Sequence, residues 1–187
     1  MNNLTVIDLP IPGLKKIERF RSKDNRGYFS RIFCVNELQA INFFGKVAQV
    51  NQSYTAKKAV IRGMHYQNAP YSENKIVMCL RGKVWDVVVD LRKDSPTFLS
   101  HYAEELSEEN GSGFLIPRGL AHGFQTLVNN CELLYFHSEI YAPKYEAGIH
   151  HLDPRINISW PLPISDTSIR DQGFNFINNN FSGVDYK

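Results

Sequence analysis

The sequence predicts an all-β protein, an antiparallel sandwich or barrel, and three observations carry that prediction. Short runs rich in valine, isoleucine, leucine and aromatic residues recur along about 130 residues. Turn-forming groups separate them, at Arg81-Gly82, Pro117-Arg118-Gly119 and Asn129-Asn130. Several runs alternate apolar and polar with a period of two, as a strand does when one face is buried. Helical patterning is confined to "VNELQAI" (35–41) and the stretch after Asp166.

The clearest segment is "KIVMCLRGKVWDVVVDLR" (75–92). Two β-rich runs flank Arg81-Gly82, which reads as a tight hairpin. In the second run Trp85, Val87, Val89 and Leu91 share one face, and Val84, Asp86, Val88 and Asp90 share the other. "GFLIP" (113–117) is a short apolar strand, and "AHGFQTLV" (121–128) is the strand after it. In "CELLYFHSEIY" (131–141), Cys131, Leu133, Tyr135, His137, Glu139 and Tyr141 fall on one face. The tail from Gln172, with Asn178-Asn179-Asn180, is polar and weakly patterned, and reads as a loose extension or an arm that packs on a partner. There is no internal repeat and no low-complexity segment.

A chain of 187 residues predicts one domain, 1–187, long enough to bury a substantial core. Its 43% hydrophobic and 21% charged residues are a globular composition. A net charge of +2 gives no electrostatic footprint for nucleic acid or a membrane surface. Cys34, Cys79 and Cys131 are odd in number, far apart and in apolar surroundings, and read as buried free thiols of a reducing compartment. The N-terminus lacks the basic start and apolar run of a signal peptide, and no apolar stretch approaches the ~18 residues of a membrane span. The cytoplasm is the expected location.

The chemistry starts from "RGMHYQ" (62–67). A buried arginine is costly unless it meets an anion. Strict alternation would put Arg62 and His65 on opposite faces, but Gly63 between them can host a bulge. The expectation is a bulge at Gly63 with both side chains turned into one cavity. Further candidates are His122 in "PRGLAHGF", Lys75 at the opening of its strand, and Tyr135 and Tyr141 on an inward face. Each also has a plain structural reading: His65 as a core histidine satisfied by a backbone carbonyl, His122 as a strand-end histidine bonded to a loop, Lys75 as a solvated lysine, and the tyrosines as core aromatics. Asp171 in "SIRDQGF" reads on its own as a surface acid. No HxH or HExxH is present; the positions two before and two after His65 are Gly63 and Gln67. His150 and His151 are adjacent, and an extended segment would point their rings apart. A metal-free site is therefore expected. P-loop, GxGxxG and GxSxG patterns are absent, and no cysteine reads as a nucleophile.

The motifs "DNRGYF" (24–29), "QVNQS" (49–53), "IRGMHYQNAP" (61–70), "NKIVMCLRGKVWDVVVDLRKDSPTF" (74–98), "FLIPRGLAHGF" (114–124), "LLYFHSEIYAP" (133–143), "DPRINISWP" (153–161) and "SDTSIRD" (165–171) occur in this order. Together they resemble the dTDP-4-dehydrorhamnose 3,5-epimerase family. The resemblance implies a cupin jelly-roll barrel with a few short peripheral helices and no cofactor. It also implies a homodimer that exchanges N-terminal strands around residues 24 to 33. The implied activity is epimerisation of a nucleotide-linked 4-keto-6-deoxy hexose through an enolate at C3 and/or C5. By the same resemblance His65 is the base, Asp171 the carboxylate that orients it, Lys75 the donor at the sugar O4, and Tyr135 the acid on the far face. Arg62, His122 and Tyr141 would position sugar and diphosphate. Gln49 and Asn51 would contact nucleotide or sugar, with Arg26 and Phe29 as substrate ligands and Arg26 reaching the diphosphate across the dimer. Arg31 departs from the family's usual glutamate, and His150-His151 replaces a pair such as Trp-Asn. A CDP- or GDP-linked substrate, epimerisation at one carbon, a 3,4-ketoisomerase and a non-catalytic sugar-nucleotide binder stay open at this point.

Overall fold

The computed structural model describes residues 4–40 and 46–187. In chain order these form β1 (Leu4–Asp8), β2 (Lys15–Arg19), β3 (Ser22–Asp24), β4 (Gly27–Phe29), α1 (Val35–Ala40), β5 (Gln49–Thr55), β6 (Val60–Gln67), β7 (Lys75–Arg81), β8 (Lys83–Asp90), β9 (His101–Ser107), β10 (Ser112–Ile116), β11 (Leu120–Thr126), β12 (Cys131–His137), β13 (Glu146–Gly148), β14 (Asp166–Thr167) and α2 (Ile169–Gln172). The helix expected over 35–41 is α1; residue 41 lies outside the described residues.

Two sheets face each other as a jelly-roll barrel. One runs β1-β2-β10-β7-β12-β5, the other β13-β6-β11-β8-β9, with β14 added in parallel beside β6. β3 and β4 form a separate small hairpin. The barrel interior is filled where Val77 and Cys79 of β7, Phe114 of β10 and Leu133 of β12 meet Val84 and Val88 of β8 and Phe124 of β11. Each fully buried valine, leucine or phenylalanine contributes about 1.5–3 kcal/mol. The odd-even alternation of β8 is as its sequence predicts. Val84 and Val88 point inward, while Val87, Val89 and Leu91 pack outward against Ile149, Ile156, Ile177 and Val184. On the other sheet, Ile76, Met78 and Phe136 face outward and are covered by Leu38 of α1.

Three expectations are corrected. Arg81-Gly82 is not a hairpin turn: β7 pairs with β10 and β12, and β8 pairs with β9 and β11, so the chain turns a corner from one sheet to the other. The local turn residues of a hairpin and a corner are alike, and partners distant in sequence decide between them. β12 ends at His137, so Glu139 and Tyr141 lie beyond the strand. The C-terminal tail is neither loose nor an outlying arm. Ile177 and Val184 are buried, Phe181 stacks on Phe98 at 6.0 Å, and Val184 N donates to Leu91 O at 2.8 Å. Its few apolar residues are spaced irregularly, which hides this packing from any periodic pattern. Cys79 and Cys131 are buried free thiols and Cys34 is half-buried. Among the described residues no helix is long and apolar enough to cross a membrane.

Candidate active site

A cavity of about 900 Å³ opens between the two sheets, with β6 and α2 on one wall and β5, β7 and β12 on the other. The β6 wall is shaped by the bulge expected at Gly63. His65 sits opposite His122 of β11, but Arg62 sits opposite Phe124, so β6 carries one extra residue between them. Gly63 has φ +127°, and a Cβ there would lie 2.5 Å from Gly123 Cα and 2.9 Å from His122 O. Only glycine fits so close an approach in that conformation. The extra residue turns Arg62 and His65 to the same side, and both line the cavity, but Arg62 is exposed at its mouth rather than buried as expected.

Asp171 reaches this wall from α2, whose first turn is capped by Ser168 Oγ accepting from Asp171 N at 3.0 Å. It is 2% exposed, which overturns its reading as a surface acid. Nothing in the polar stretch around it shows that α2 docks on β6. Asp171 Oδ1 lies 2.8 Å from His65 Nε2, and Oδ2 accepts from Gly63 N at 3.0 Å. Burial works to raise this carboxyl, but the bond and charge of His65 and the Gly63 N–H outweigh it and hold the group well below the usual carboxylate range. An ionised carboxylate only accepts, so the proton of the His65–Asp171 bond is donated by Nε2. Phe174 packs edge-on to the His65 ring at 5.7 Å. Arg170 lies over the pair, donating to Glu146 Oε1 at 2.8 Å with its Nη2 3.0 Å from His65 Nε2.

The opposite wall carries Tyr135, Lys75 and their partners. The Tyr135 hydroxyl is 3.0 Å from Ser53 Oγ, and burial pushes the phenol well above its ordinary range. Lys75 is 7% exposed, with Nζ 3.0 Å from Glu73 Oε1. His122 Nε2 is hydrogen-bonded to Asp86, at 2.9 and 3.0 Å from its two oxygens, and its ring meets Tyr135 edge-on at 6.3 Å. Burial raises the Asp86 carboxyl, and His122 offsets part of that rise. At the open side, Arg62 Nε donates to Thr55 Oγ1 at 2.9 Å. Tyr141 donates to Glu146 Oε2 at 2.7 Å and from its backbone to Gln49 Oε1 at 3.0 Å. Gln49 and Asn51 of β5 line the cavity beside them.

Nine of the eleven candidate residues thus converge on one cavity: His65, Asp171, Tyr135, Lys75, Arg62, His122, Tyr141, Gln49 and Asn51. Arg26 and Phe29 do not. Both lie on or beside the β3–β4 hairpin; the Arg26 side chain is 85% exposed and paired with Asp24 at 2.6 Å, and Phe29 is 75% exposed. Arg31 is paired with Glu37 at 3.1 Å, away from the cavity. His150 and His151 occupy a turn rather than an extended segment, and their rings stack at 4.5 Å instead of pointing apart. Sequence reasoning missed Glu73, Asp86, His137 and Arg170 as part of the site. Asp86 and His137 carried a signal, since each shares an inward face with apolar or aromatic neighbours. Glu73 sits in a loop and carried none. Among the described residues no group of three histidine, cysteine, aspartate or glutamate side chains is placed to hold a metal ion.

A histidine–carboxylate pair on one wall, a phenol and an ammonium on the other, and an arginine at the opening define an acid–base pocket inside a jelly-roll barrel. Comparison with known proteins narrows that class. Residues 8–179 match the sequence model of the dTDP-4-dehydrorhamnose 3,5-epimerase family. A dTDP-4-dehydrorhamnose 3,5-epimerase of Shigella flexneri is 38% identical over 176 residues, covering 91% of this chain and 96% of the relative. A dTDP-4-dehydrorhamnose 3-epimerase of Streptomyces niveus is 36% identical, covering 88% of this chain and 79% of the relative. The crystal structure of a dTDP-6-deoxy-D-glucose-3,5-epimerase of Legionella pneumophila in complex with dTDP-4-keto-L-rhamnose superposes with a TM-score of 0.91 at 34% identity, covering 98% of this chain and 99% of that one. The chain belongs to the dTDP-4-dehydrorhamnose 3,5-epimerase family.

Proposed function

We propose that the protein epimerises a dTDP-linked 4-keto-6-deoxy hexose at C3 and C5, converting dTDP-4-dehydro-6-deoxyglucose to the 4-dehydrorhamnose form. The C4 carbonyl acidifies the protons at both carbons. His65 removes one through its Nδ1 lone pair, while Asp171 fixes the tautomer and balances the charge that forms. Lys75 faces the developing oxyanion at O4, a donor role worth roughly 10²–10³-fold. Tyr135 returns a proton from the opposite wall. Its raised proton affinity keeps it protonated at neutral pH, as an acid must be. Arg62, His122 and Tyr141 hold sugar and diphosphate, and Gln49 and Asn51 contact nucleotide or sugar. Arg26 and Phe29, exposed in their own protomer, serve the neighbouring cavity of a homodimer with exchanged N-terminal strands. The whole chain acts as one domain, in the cytoplasm.

The observation that carries this reading is the 2.8 Å His65–Asp171 pair facing Tyr135 across one cavity. Replacing His65 with alanine tests it. Turnover falls by about 10²–10⁴-fold, with folding and dTDP binding retained; activity above about a tenth of wild type would refute the base assignment. Light scattering tests the dimer, and a monomer at micromolar concentration would refute it. The name of the Streptomyces niveus relative supports a second reading, epimerisation at C3 alone.

A further inference from the structure

The Glu73 carboxylate bridges two cavity-lining bases. Its Oε1 holds Lys75 Nζ at 3.0 Å and its Oε2 holds His137 Nδ1 at 2.7 Å. All three side chains are nearly buried, and Lys75 and His137 are direct cross-strand partners on β7 and β12. The carboxylate only accepts, so His137 carries its proton on Nδ1. Its Nε2 has only a long contact, to the Asn51 amide nitrogen 3.4 Å away, which a substrate hydroxyl can replace. The His137 ring is stacked near-parallel on Tyr135 at 6.1 Å. One buried anion therefore fixes an ammonium and a tautomer next to the proposed acid. Burial works to raise the Glu73 carboxyl, but the Lys75 charge and the His137 bond outweigh it and bring it down to about 2. The anion is therefore permanent at neutral pH.

We infer that Glu73 is a positioning residue of the epimerisation, holding Lys75 Nζ aimed at the O4 oxyanion, and that His137, locked by it, is a specificity-determining contact that presents Nε2 as an acceptor to a substrate hydroxyl in place of the long Asn51 contact. The inference rests on the epimerase reading above. It requires different signatures from two variants. Glu73→Gln keeps the shape but removes the charge. The 3.0 Å contact that holds Lys75 Nζ in place loses its anion, so the ammonium is no longer fixed on the oxyanion and kcat falls about tenfold or more. His137→Asn keeps a donor for Glu73 at the Nδ1 position but deletes the Nε2 acceptor. Its effect falls on KM, raised about tenfold, the size expected for one lost hydrogen bond in a dry site, with kcat within about threefold of wild type.

The test is steady-state kinetics of both variants with the 4-keto sugar nucleotide, together with two-bond ¹H–¹⁵N NMR of the His137 ring. The expected result is the kcat loss for Glu73→Gln, the KM rise for His137→Asn, and a single Nδ1–H tautomer of His137 that becomes mixed in Glu73→Gln. A wild-type kcat in Glu73→Gln would overturn the positioning role, and an unchanged KM in His137→Asn would overturn the contact. An unchanged tautomer in Glu73→Gln would overturn the lock. Thermal unfolding of each variant separates these effects from misfolding. A wild-type protein that turns over no 4-keto sugar nucleotide would instead overturn the reaction, and the tautomer measurement would still decide whether Glu73 sets the ring.

Discussion

Gly63→Ala puts the bulge that builds the site under direct test. Two penalties act at that position. A φ of +127° lies outside the regions an alanine populates readily, which costs about 1–2 kcal/mol. The added Cβ would also meet Gly123 Cα at 2.5 Å and His122 O at 2.9 Å. Both are backbone atoms of the neighbouring strand, so relief requires β6 and β11 to move apart, at about 1–3 kcal/mol. The sum is about 3 kcal/mol, which lowers Tm by roughly 6–12 °C in a chain of this length. Gly27→Ala is the internal control: Gly27 has φ +133° with nothing of its own protomer within 4 Å of its Cβ position, so within the protomer it carries the conformational penalty alone. Displacing Gly63 also moves the N–H that Asp171 accepts, so activity falls further than stability alone predicts. Urea unfolding of the two variants and wild type, with turnover measured alongside, checks the reasoning. If Gly63→Ala is no less stable than Gly27→Ala, or keeps wild-type turnover, the bulge does not hold the site.

Three further outcomes follow from the same geometry. Asp171→Asn keeps the shape of α2 but removes the charge that fixes the His65 tautomer; we expect a loss in kcat smaller than that of His65→Ala with nucleotide affinity unchanged, and a pure binding defect in calorimetry would contradict the pairing. Acid stability should report Glu73: its carboxyl ionises near 4.5 when unfolded and near 2 when folded, so it contributes roughly 3 kcal/mol above pH 4.5 that is lost as pH falls towards 2. Urea midpoints at pH 6 and pH 3 should therefore fall less steeply in Glu73→Gln than in wild type, and parallel slopes would refute the assignment. Removing residues 174–187 exposes Val87, Val89 and Leu91 by deleting Ile177 and Val184, so the truncated chain should unfold at much lower urea; an unchanged midpoint would show that the tail adds nothing to the core.

What could be read in the sequence follows the range over which each feature is determined. The two faces of β8 were legible because alternation is set within the strand. The Gly63 bulge was legible because a charged residue, a glycine and a histidine in one apolar run conflict with regular pleating. The corner at Gly82 was not, because it follows from pairing with β9, β10, β11 and β12, strands that lie outside the segment itself. Asp171 was beyond local reasoning for the same reason: its partner is separated from it by 106 positions. Only the resemblance to a family singled it out. Glu73 escaped both routes, since a loop glutamate looks solvated until Lys75 and His137 close around it. The tail was misread because its sparse apolar residues meet a sheet face whose own alternation gave no hint of what covers it.

An epimerase pocket must remove and return protons beside the 4-keto group. Deuterium wash-in followed by NMR measures that step itself. The protein is placed in D₂O with dTDP-4-keto-6-deoxyglucose, with the CDP- and GDP-linked sugars in parallel. Deuterium is expected at both C3 and C5 of the dTDP sugar, and its incorporation is expected to be lost in His65→Ala. Exchange at C3 alone would make the protein a monoepimerase, and exchange only with another nucleotide would move its substrate. No exchange with any of the three would contradict the account.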